Sequence, residues 1–519
     1  MIGLRGKLLA ENSPPPTTPE EDRFVEGGGD EISIGDIDNS SAIAVGRGAK
    51  ASIFNIDIRL LPLVIGLGLL TTLLTYFQFF RQEDRPQTMD PGFNVAIAEF
   101  LVEDRDGNLV SSEEGLKFGR WLYERVEGGL ESELEEFSDT HPLHVWSPEN
   151  TGVISGNTPA ERAAAAEARA KEVGADIIIY GTLVQGEDES KTSIEFYVNH
   201  DSFAEGQDIK GHHEFGGSLS IDNPFKEGLA ELGNTPLSER AKSLSLVAVG
   251  LAYYSIDDFD NAIHYLQEAD GDEDWYEKEE GKHVVKLLLG NAYLRKGSIE
   301  KNPELVPIAQ AYYQEALDID DEYARATMGI ANTALMMALG DPNDDRTQID
   351  SELLNRAQEG YEKALTLKED EDLIDIQSKA DYGLGNVYML RYQLEGGAWL
   401  DKAVERFEAI ISAYESGNSG IKDLAAHAYA RRGFIQDVYR NQTEAASEDY
   451  KVAAEIASPF YKGIYASMLG DVYAKLCQLD LARESYDDAV KIAKLNSDRE
   501  QVALYREKQD ELDDLVDCS

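Results

Sequence analysis

The chain is predicted to be mostly helical: an α-solenoid of paired helices, preceded by a small α/β domain, one transmembrane helix and a largely disordered N-terminal tail. Three observations carry this expectation. A pattern of Gly, Tyr, Ala, aromatic and Ala recurs six times after residue 236. Strand-like alternation interleaved with two helical stretches fills 92–222, and a charge-free run occupies 60–80. The boundaries that follow are 1–59 for the tail, 60–80 for the membrane helix and 81–91 for a linker. The α/β domain then covers 92–222, the repeats 236–496 and a closing helix 497–516.

Residues 11–31 are rich in Pro, Glu, Asp and Gly, a composition that cannot bury enough apolar surface to fold. From 31 to 54 the chain reads EISIGDIDNSSAIAVGRGAKASIF. Ile32 and Ile34, Ile43 and Val45, then Ala51 and Ile53 keep a two-residue alternation, which predicts a small hairpin or β-coil. This stretch is similar to short GDI…IAVGRGA tags that precede signalling modules in some filamentous bacteria, which implies docking or self-association.

Leu60 to Phe80 contains 21 residues and no charge. As an α-helix such a run spans about 30 Å, the thickness of a bilayer core. Tyr76, Phe77, Phe79 and Phe80 gather at its exit, as interfacial aromatics do. Arg47, Lys50 and Arg59 precede it and Arg81 and Arg85 follow, so the positive-inside bias favours a cytoplasmic N-terminus. The expectation is a single-pass cell-membrane protein with its C-terminal domains outside the cytoplasm.

In the α/β domain, Phe93 to Phe100 alternates like a buried strand. Ser111 and Glu114 form a capping-box pair that opens a helix to about Phe137. Leu143 to Trp146 is a second strand, and Thr158 to Val173 an Ala-rich helix closed by Gly174. Asp176 to Val184 is the central strand, and Thr192 to Val198 and Gly216 to Ile221 complete the sheet. VAIAEF, a long helix, and an Ala-rich helix leading into GADIIIYGTLV together resemble the small α/β domain related to the N-terminal domain of TolB. The resemblance implies a bacterial membrane protein in which this domain follows a transmembrane helix, precedes helical repeats and faces outside the cytoplasm. No winged helix precedes the apolar run, so a transcription-factor role is without support.

The six repeat copies begin with Gly250, Tyr253, Ala262, Leu266 and Ala269, then Gly290, Tyr293, Ala309, Tyr313 and Ala316. Next come Gly329, Asn332, Ala357, Tyr361 and Ala364, then Gly385, Tyr388, Ala403, Phe407 and Ile410. The last two are Gly433, Gln436, Ala446, Tyr450 and Ala453, then Gly470, Tyr473, Ala482, Tyr486 and Ala489. Small residues let two antiparallel helices approach, and the aromatic fills the space to the next pair, so units must stack to bury their apolar faces. Ser497 with Glu500 reads as the cap of a final solvating helix.

In type and order this resembles the tetratricopeptide repeat (TPR) family. The resemblance implies a concave groove lined by the first helix of each pair. Here that places Asn291, Leu294, Tyr323, Lys379, Tyr382, Asn386, Met389 and Phe434 in the groove, together with Thr333 and His427. Asn291 and Asn386 hold the Asn position of the carboxylate clamp of some members, but Leu287 and Tyr382 stand where that clamp needs Lys. A mixed apolar and polar groove for an extended or helical peptide is expected instead.

Lys and Arg total 48 against 98 Asp and Glu, a formal charge of -50. Such a chain repels nucleic acid and is compatible with a basic partner. Cys477 and Cys518 make no disulfide framework, and Cys477 is expected to be a buried thiol in a repeat helix. His141 with His144, and His212 with His213, read as surface residues. Asp341, Asn343, Asp345, Thr347 and Glu352 have calcium-loop spacing, but Arg346 stands where the loop needs Gly, so a solvated insertion is expected. No nucleotide, zinc-protease, hydrolase or redox motif is present, and no catalytic, cofactor or metal residue is assigned. The functional expectation is a membrane-anchored adaptor that binds protein or peptide. A transmembrane sensor relaying to the tail is the alternative, and an enzyme in the α/β domain the third.

Overall fold

A computed structural model describes residues 88–133, 141–185, 189–199, 209–216, 218–222, 236–271, 281–339, 349–367, 375–496 and 498–512. The tail with its 31–54 segment and the 60–80 run lie outside these residues. The membrane expectation is corrected: among the described residues no helix is long and apolar enough to cross a membrane. The two longest helices, Glu113–Glu133 and Asp375–Glu395, each carry several charged residues. With the 60–80 run undescribed, the single-pass placement and its inside–outside orientation have no structural support.

Strand β1 (Phe93–Ile97) is buried along its whole length, as a strand with parallel neighbours and helices on both faces must be. It pairs in parallel with β4 (Leu143–Trp146) on one side and β5 (Ile177–Gln185) on the other. The predicted single strand to Phe100 breaks at Ala98 and resumes as β2 (Leu101–Glu103), which pairs further along β5. Between Ile97↔Ile179 and Leu101↔Thr182 one extra residue is taken up as a bulge. Glu99 sits in that break, and its Oε1 accepts from Ser111 Oγ at 2.6 Å and from Ser112 N at 2.8 Å. The helix α1 (Glu113–Glu133) therefore starts one residue later than expected, with Ser112 Oγ accepting from Gly115 N.

The short strand β3 (Leu109–Val110) pairs antiparallel with β2. On the far side of β5, β6 (Glu189–Val198) runs antiparallel, and its outer edge pairs with β7 (Gly211–Glu214) and β8 (Leu219–Asp222). The one-turn helix α2 is Pro148–Thr151, and α3 is Pro159–Val173. Helix α3 starts one residue later than expected, at Pro159, with Thr158 as its N-cap in a full capping box with Glu161; Gly174 closes it as expected, at φ 74°. Alternate strand residues face α1 (Val95, Ile97, Ile179, Phe196) and α3 (Ala96, Ile178, Tyr197), giving three layers.

The repeats follow as six helix pairs. They are α4 (Pro236–Ser255) with α5 (Phe259–Asp270), α6 (Lys282–Ile299) with α7 (Leu305–Ile319), and α8 (Ala324–Leu339) with α9 (Ser351–Ala364). Then come α10 (Asp375–Glu395) with α11 (Trp399–Glu415), α12 (Lys422–Phe434) with α13 (Thr443–Ile456), and α14 (Pro459–Lys475) with α15 (Leu479–Leu495). Helix α16 (Arg499–Glu511) packs on α15 and is capped by Asp498, whose carboxylate accepts from Gln501 N at 2.9 Å, not by Ser497, which is outside the described residues.

The repeat residues meet as their types require. A methyl at Gly290 would stand 2.4 Å from the Tyr313 ring, and one at Gly470 would stand 2.6 Å from the Tyr486 ring. In these two copies the aromatic of the second helix thus lies directly on the first helix of its pair. In the first and sixth copies the first helix ends on a left-handed residue seven after the Gly, Asp257 (φ 61°) and Cys477 (φ 56°). In the fifth copy that residue is Asn441 (φ 52°), eight after Gly433. The extra residue is absorbed where the helix widens to a π turn at Ile435–Tyr439. Cys477 is exposed and disulfide-bonded, not the buried thiol expected.

One apolar core joins sheet and array. Trp121, Val126 and Leu130 of α1 pack with Leu244 and Val247 of α4, and the cluster runs on to Val285 and Leu289 of α6. Each such side chain, fully buried, is worth roughly 1.5–3 kcal/mol.

A cavity on the first helices of the repeats

The first helices α6, α8, α10 and α12 wall a cavity of about 310 Å³, with Tyr361 of α9 closing one side. Leu294, Met328, Leu335, Met336 and Leu424 supply its apolar wall. Asn332, Asn386, Lys379, Tyr382 and His427 supply its polar wall.

The cavity has a sequence cause. Repeats one, two, four and six carry Tyr three residues after the Gly (Tyr253, Tyr293, Tyr388, Tyr473), whereas the third carries Asn332. The shorter side chain leaves space, and the Tyr361 hydroxyl reaches across to donate to Asn332 Oδ1. Asn386, half-buried on the opposite wall, makes no side-chain hydrogen bond among the described residues.

Of the residues predicted to line a groove, Leu294, Lys379, Tyr382 and Asn386 come together here, with His427. The others do not. Asn291 is buried, its Oδ1 accepting from Tyr313 OH at 2.5 Å, so it serves the packing of its own helix pair. Tyr323 is buried edge-on to His283, with ring centres 4.7 Å apart. Met389 and Phe434 pack in the apolar core of the later repeats. Thr333 is fully buried and donates to the Ile330 carbonyl at 2.7 Å. Counting positions along one helix could not foresee which faces the neighbouring helices would cover.

His427 is neutral: burial first, then the nearby Arg431 and Lys210, lowers its pKa to about 3. Its ring meets Tyr461 edge-on at 4.4 Å, and its Nδ1 shares a hydrogen bond with Tyr465 OH. Tyr382 OH accepts from Arg431 Nε at 3.4 Å.

The sequence reading missed a second feature of this face. Strand β7 and its flanks, 209–216, are gripped by the array. Arg325 of α8, 2% exposed, donates to the carbonyls of Lys210 (2.9 Å) and His212 (3.4 Å). Arg240 of α4 donates to the Phe215 carbonyl at 3.4 Å. Lys210 Nζ lies 3.7 Å from the Asp423 carboxylate of α12. Of His212 and His213, expected at the surface, His213 is therefore buried and His212 keeps only 10% side-chain exposure. Tyr180 OH and His212 Nδ1 share a hydrogen bond of 2.8 Å, and His213 Nε2 lies 2.7 Å from the Ile209 carbonyl. Beneath them Arg162 and Glu195 form a buried ion pair at 2.6 Å.

Most of the calcium-spaced run lies outside the described residues. At its end, Asp350 caps α9 and Glu352 pairs with Arg356 at 2.7 Å. Among the described residues no group of acidic, His or Cys side chains could hold a metal ion.

No family model matches the chain, and no curated protein does. Solved helical-repeat structures share a partial likeness. RapI in its apo form is 15% identical over 54% of this chain and 72% of its own, with a TM-score of 0.37. A Rap protein complexed with competence and sporulation factor is 17% identical over 56% and 80%, at 0.33. The TPR2AB domain of yeast Sti1 in its pHSP90 complex is 19% identical over 51% and 97%, at 0.18. The TPR-like repeat rests on the helix pairing and glycine–aromatic contacts described above.

Proposed function

We propose that the chain is a protein-binding scaffold, and not an enzyme, which receives a peptide segment of its partner in the cavity walled by α6, α8, α10 and α12. The observation that carries this reading is the cavity itself. Five apolar side chains line it beside Asn386, an amide that spends no hydrogen bond within the described protein. Apolar walls with a few convergent polar groups are the usual make-up of a peptide or ligand site. The α/β domain acts in this reading as a brace, since the array grips its β7 segment and shares its core.

The test is site-specific cross-linking. A photoreactive residue replaces Asn386 in one variant and Lys451, exposed on α13, in another. The full chain is irradiated in its native cell extract and the adducts are identified. A discrete partner joined at 386 and absent at 451 supports the cavity as the site. Adducts equal at both positions, or none at 386, sink it.

A further inference from the structure

The chain's two cysteines, Cys477 and Cys518, both fall in or after the sixth repeat copy. Cys477 holds the left-handed turn between α14 and α15, at φ 56°. The same turn is made by Asp257 in the first copy and Asn441 in the fifth. Asp and Asn tolerate a positive φ better than other side chains, and Cys has no such advantage. The backbone gives no reason for a thiol here, but a covalent bond does. Cys477 is exposed and disulfide-bonded, and the other cysteine in the chain is Cys518.

Helix α16 returns the chain to this turn. Its C-cap Leu512 is buried against Ala482 and Tyr486, with Ala474 and Leu479 beside them. Ala474 and Leu479 stand on either side of Cys477 in the sequence. Residues 513–518 lead from there to Cys518, a reach of up to about 20 Å and ample for a neighbouring turn.

Without such a bond the hold of α16 on the array is thin. Within the helix Tyr505 alone is buried, packing on Ala466, Ala489, Val490 and Ala493. Lys508 adds an ion pair with Asp471 at 2.7 Å, partly exposed and therefore weak.

We propose that Cys477 and Cys518 form a redox-operated clasp that fixes α16 as the end cap of the array. The inference is independent of the cavity as a partner site. A dithiol reductant opens the clasp. One of its thiolates attacks a clasp sulfur and expels the other as a thiolate, and its second thiol then resolves the mixed disulfide. The reductant leaves as its own disulfide, and two electrons and two protons have passed to the clasp cysteines. Once open, α16 is held only by Tyr505, Leu512 and surface polar contacts, so it detaches and the end of the stack loses the cap that solenoids need.

Hydrogen exchange on the full chain, oxidised and after dithiothreitol, tests this. Mass spectrometry of the oxidised chain should find the peptides bearing Cys477 and Cys518 joined. Reduction should speed amide exchange in 499–511 by about tenfold or more and leave strand β1 unchanged. Cys518→Ser should exchange fast with or without dithiothreitol. Cys477→Asn, which gives the turn the residue of the fifth copy, should do the same, so that a strained turn is not mistaken for the lost bond. Equal exchange in 499–511 before and after reduction overturns the proposal. So do free thiols in the oxidised chain, Cys477 joined to a second copy, or a response to dithiothreitol that survives in Cys518→Ser.

Discussion

Arg325 binds the backbone of Lys210 across 115 residues of sequence, at 2.9 Å and out of contact with water. A side chain of the third repeat thus holds the main chain of a strand in another domain. Replacing Arg325 by Ala leaves two buried carbonyls without their donor. A loss of about 3 kcal/mol in unfolding free energy is expected, since each orphaned buried acceptor costs roughly 1–3 kcal/mol. Urea denaturation measures it, and a change under about 0.5 kcal/mol, the scale of an ordinary surface substitution, would falsify the assignment.

Arg162 and Glu195 are both nearly inaccessible, with side-chain exposures of 8% and 1%. Glu195→Gln should destabilise by about 3–5 kcal/mol, because it strands a buried guanidinium. The double change Arg162→Met with Glu195→Leu should recover most of that loss. A double-mutant cycle decides: simple additivity of the two single changes would show that the pair is not coupled.

Gly290 and Gly128 are both helical, yet their substitution should act in opposite directions. At Gly290 an added methyl meets the Tyr313 ring at 2.4 Å, while nothing lies within 4 Å of one at Gly128. Gly290→Ala is expected to cost about 1–3 kcal/mol through overpacking. Gly128→Ala should gain about 0.5–1 kcal/mol by removing backbone freedom from the unfolded chain. Thermal melts of the two variants compare them directly, and a shift of the same sign in both would contradict the packing described.

How much of this was legible in the sequence follows from what each pattern encodes. The Gly290–Tyr313 and Gly470–Tyr486 contacts were readable, because a helix pair demands small and aromatic residues at fixed spacings. The close of α3 at Gly174 was readable too, since a left-handed cap is local chemistry. The burial of His213 and near-burial of His212 were not. Gly211–Glu214 carries no apolar alternation, and its burial comes from Arg325, Tyr180 and the array around it. The cavity was half legible: Asn332 in place of Tyr could be seen, but not which neighbours would leave the space open.

Acidification should weaken the fold through its buried histidines. His427 and His212 have pKa values lowered to about 3 by burial, below the ordinary value near 6.5. The unfolded chain therefore binds protons at these sites between roughly pH 6.5 and 3 that the folded chain refuses. Stability is lost as the pH falls through this window, by about 1.4 kcal/mol per unit for each such group. His427→Gln should flatten the slope between pH 6.5 and 5 by about one proton. Urea midpoints across that range measure it, and an unchanged slope would rule the residue out.

Asn332→Tyr should leave the array folded, because four sister repeats carry Tyr at this position. It should also fill the cavity and weaken partner binding by about tenfold or more, through loss of the space for an apolar side chain worth roughly 1.5–3 kcal/mol. Calorimetry against the partner captured at Asn386 compares variant and wild type, and undiminished binding would move the site elsewhere.

The grip on 209–216 bears on how long the array can be. In most stacked-helix proteins each unit touches only its neighbours, so units can be gained or lost without harm. Here Arg240, Arg325 and Asp423 reach the same short segment from the first, third and fifth copies. Adding or removing a copy between them would carry one of these side chains past its target. The strand works as a ruler: this solenoid can grow at its C-terminal end, but its first five units are counted.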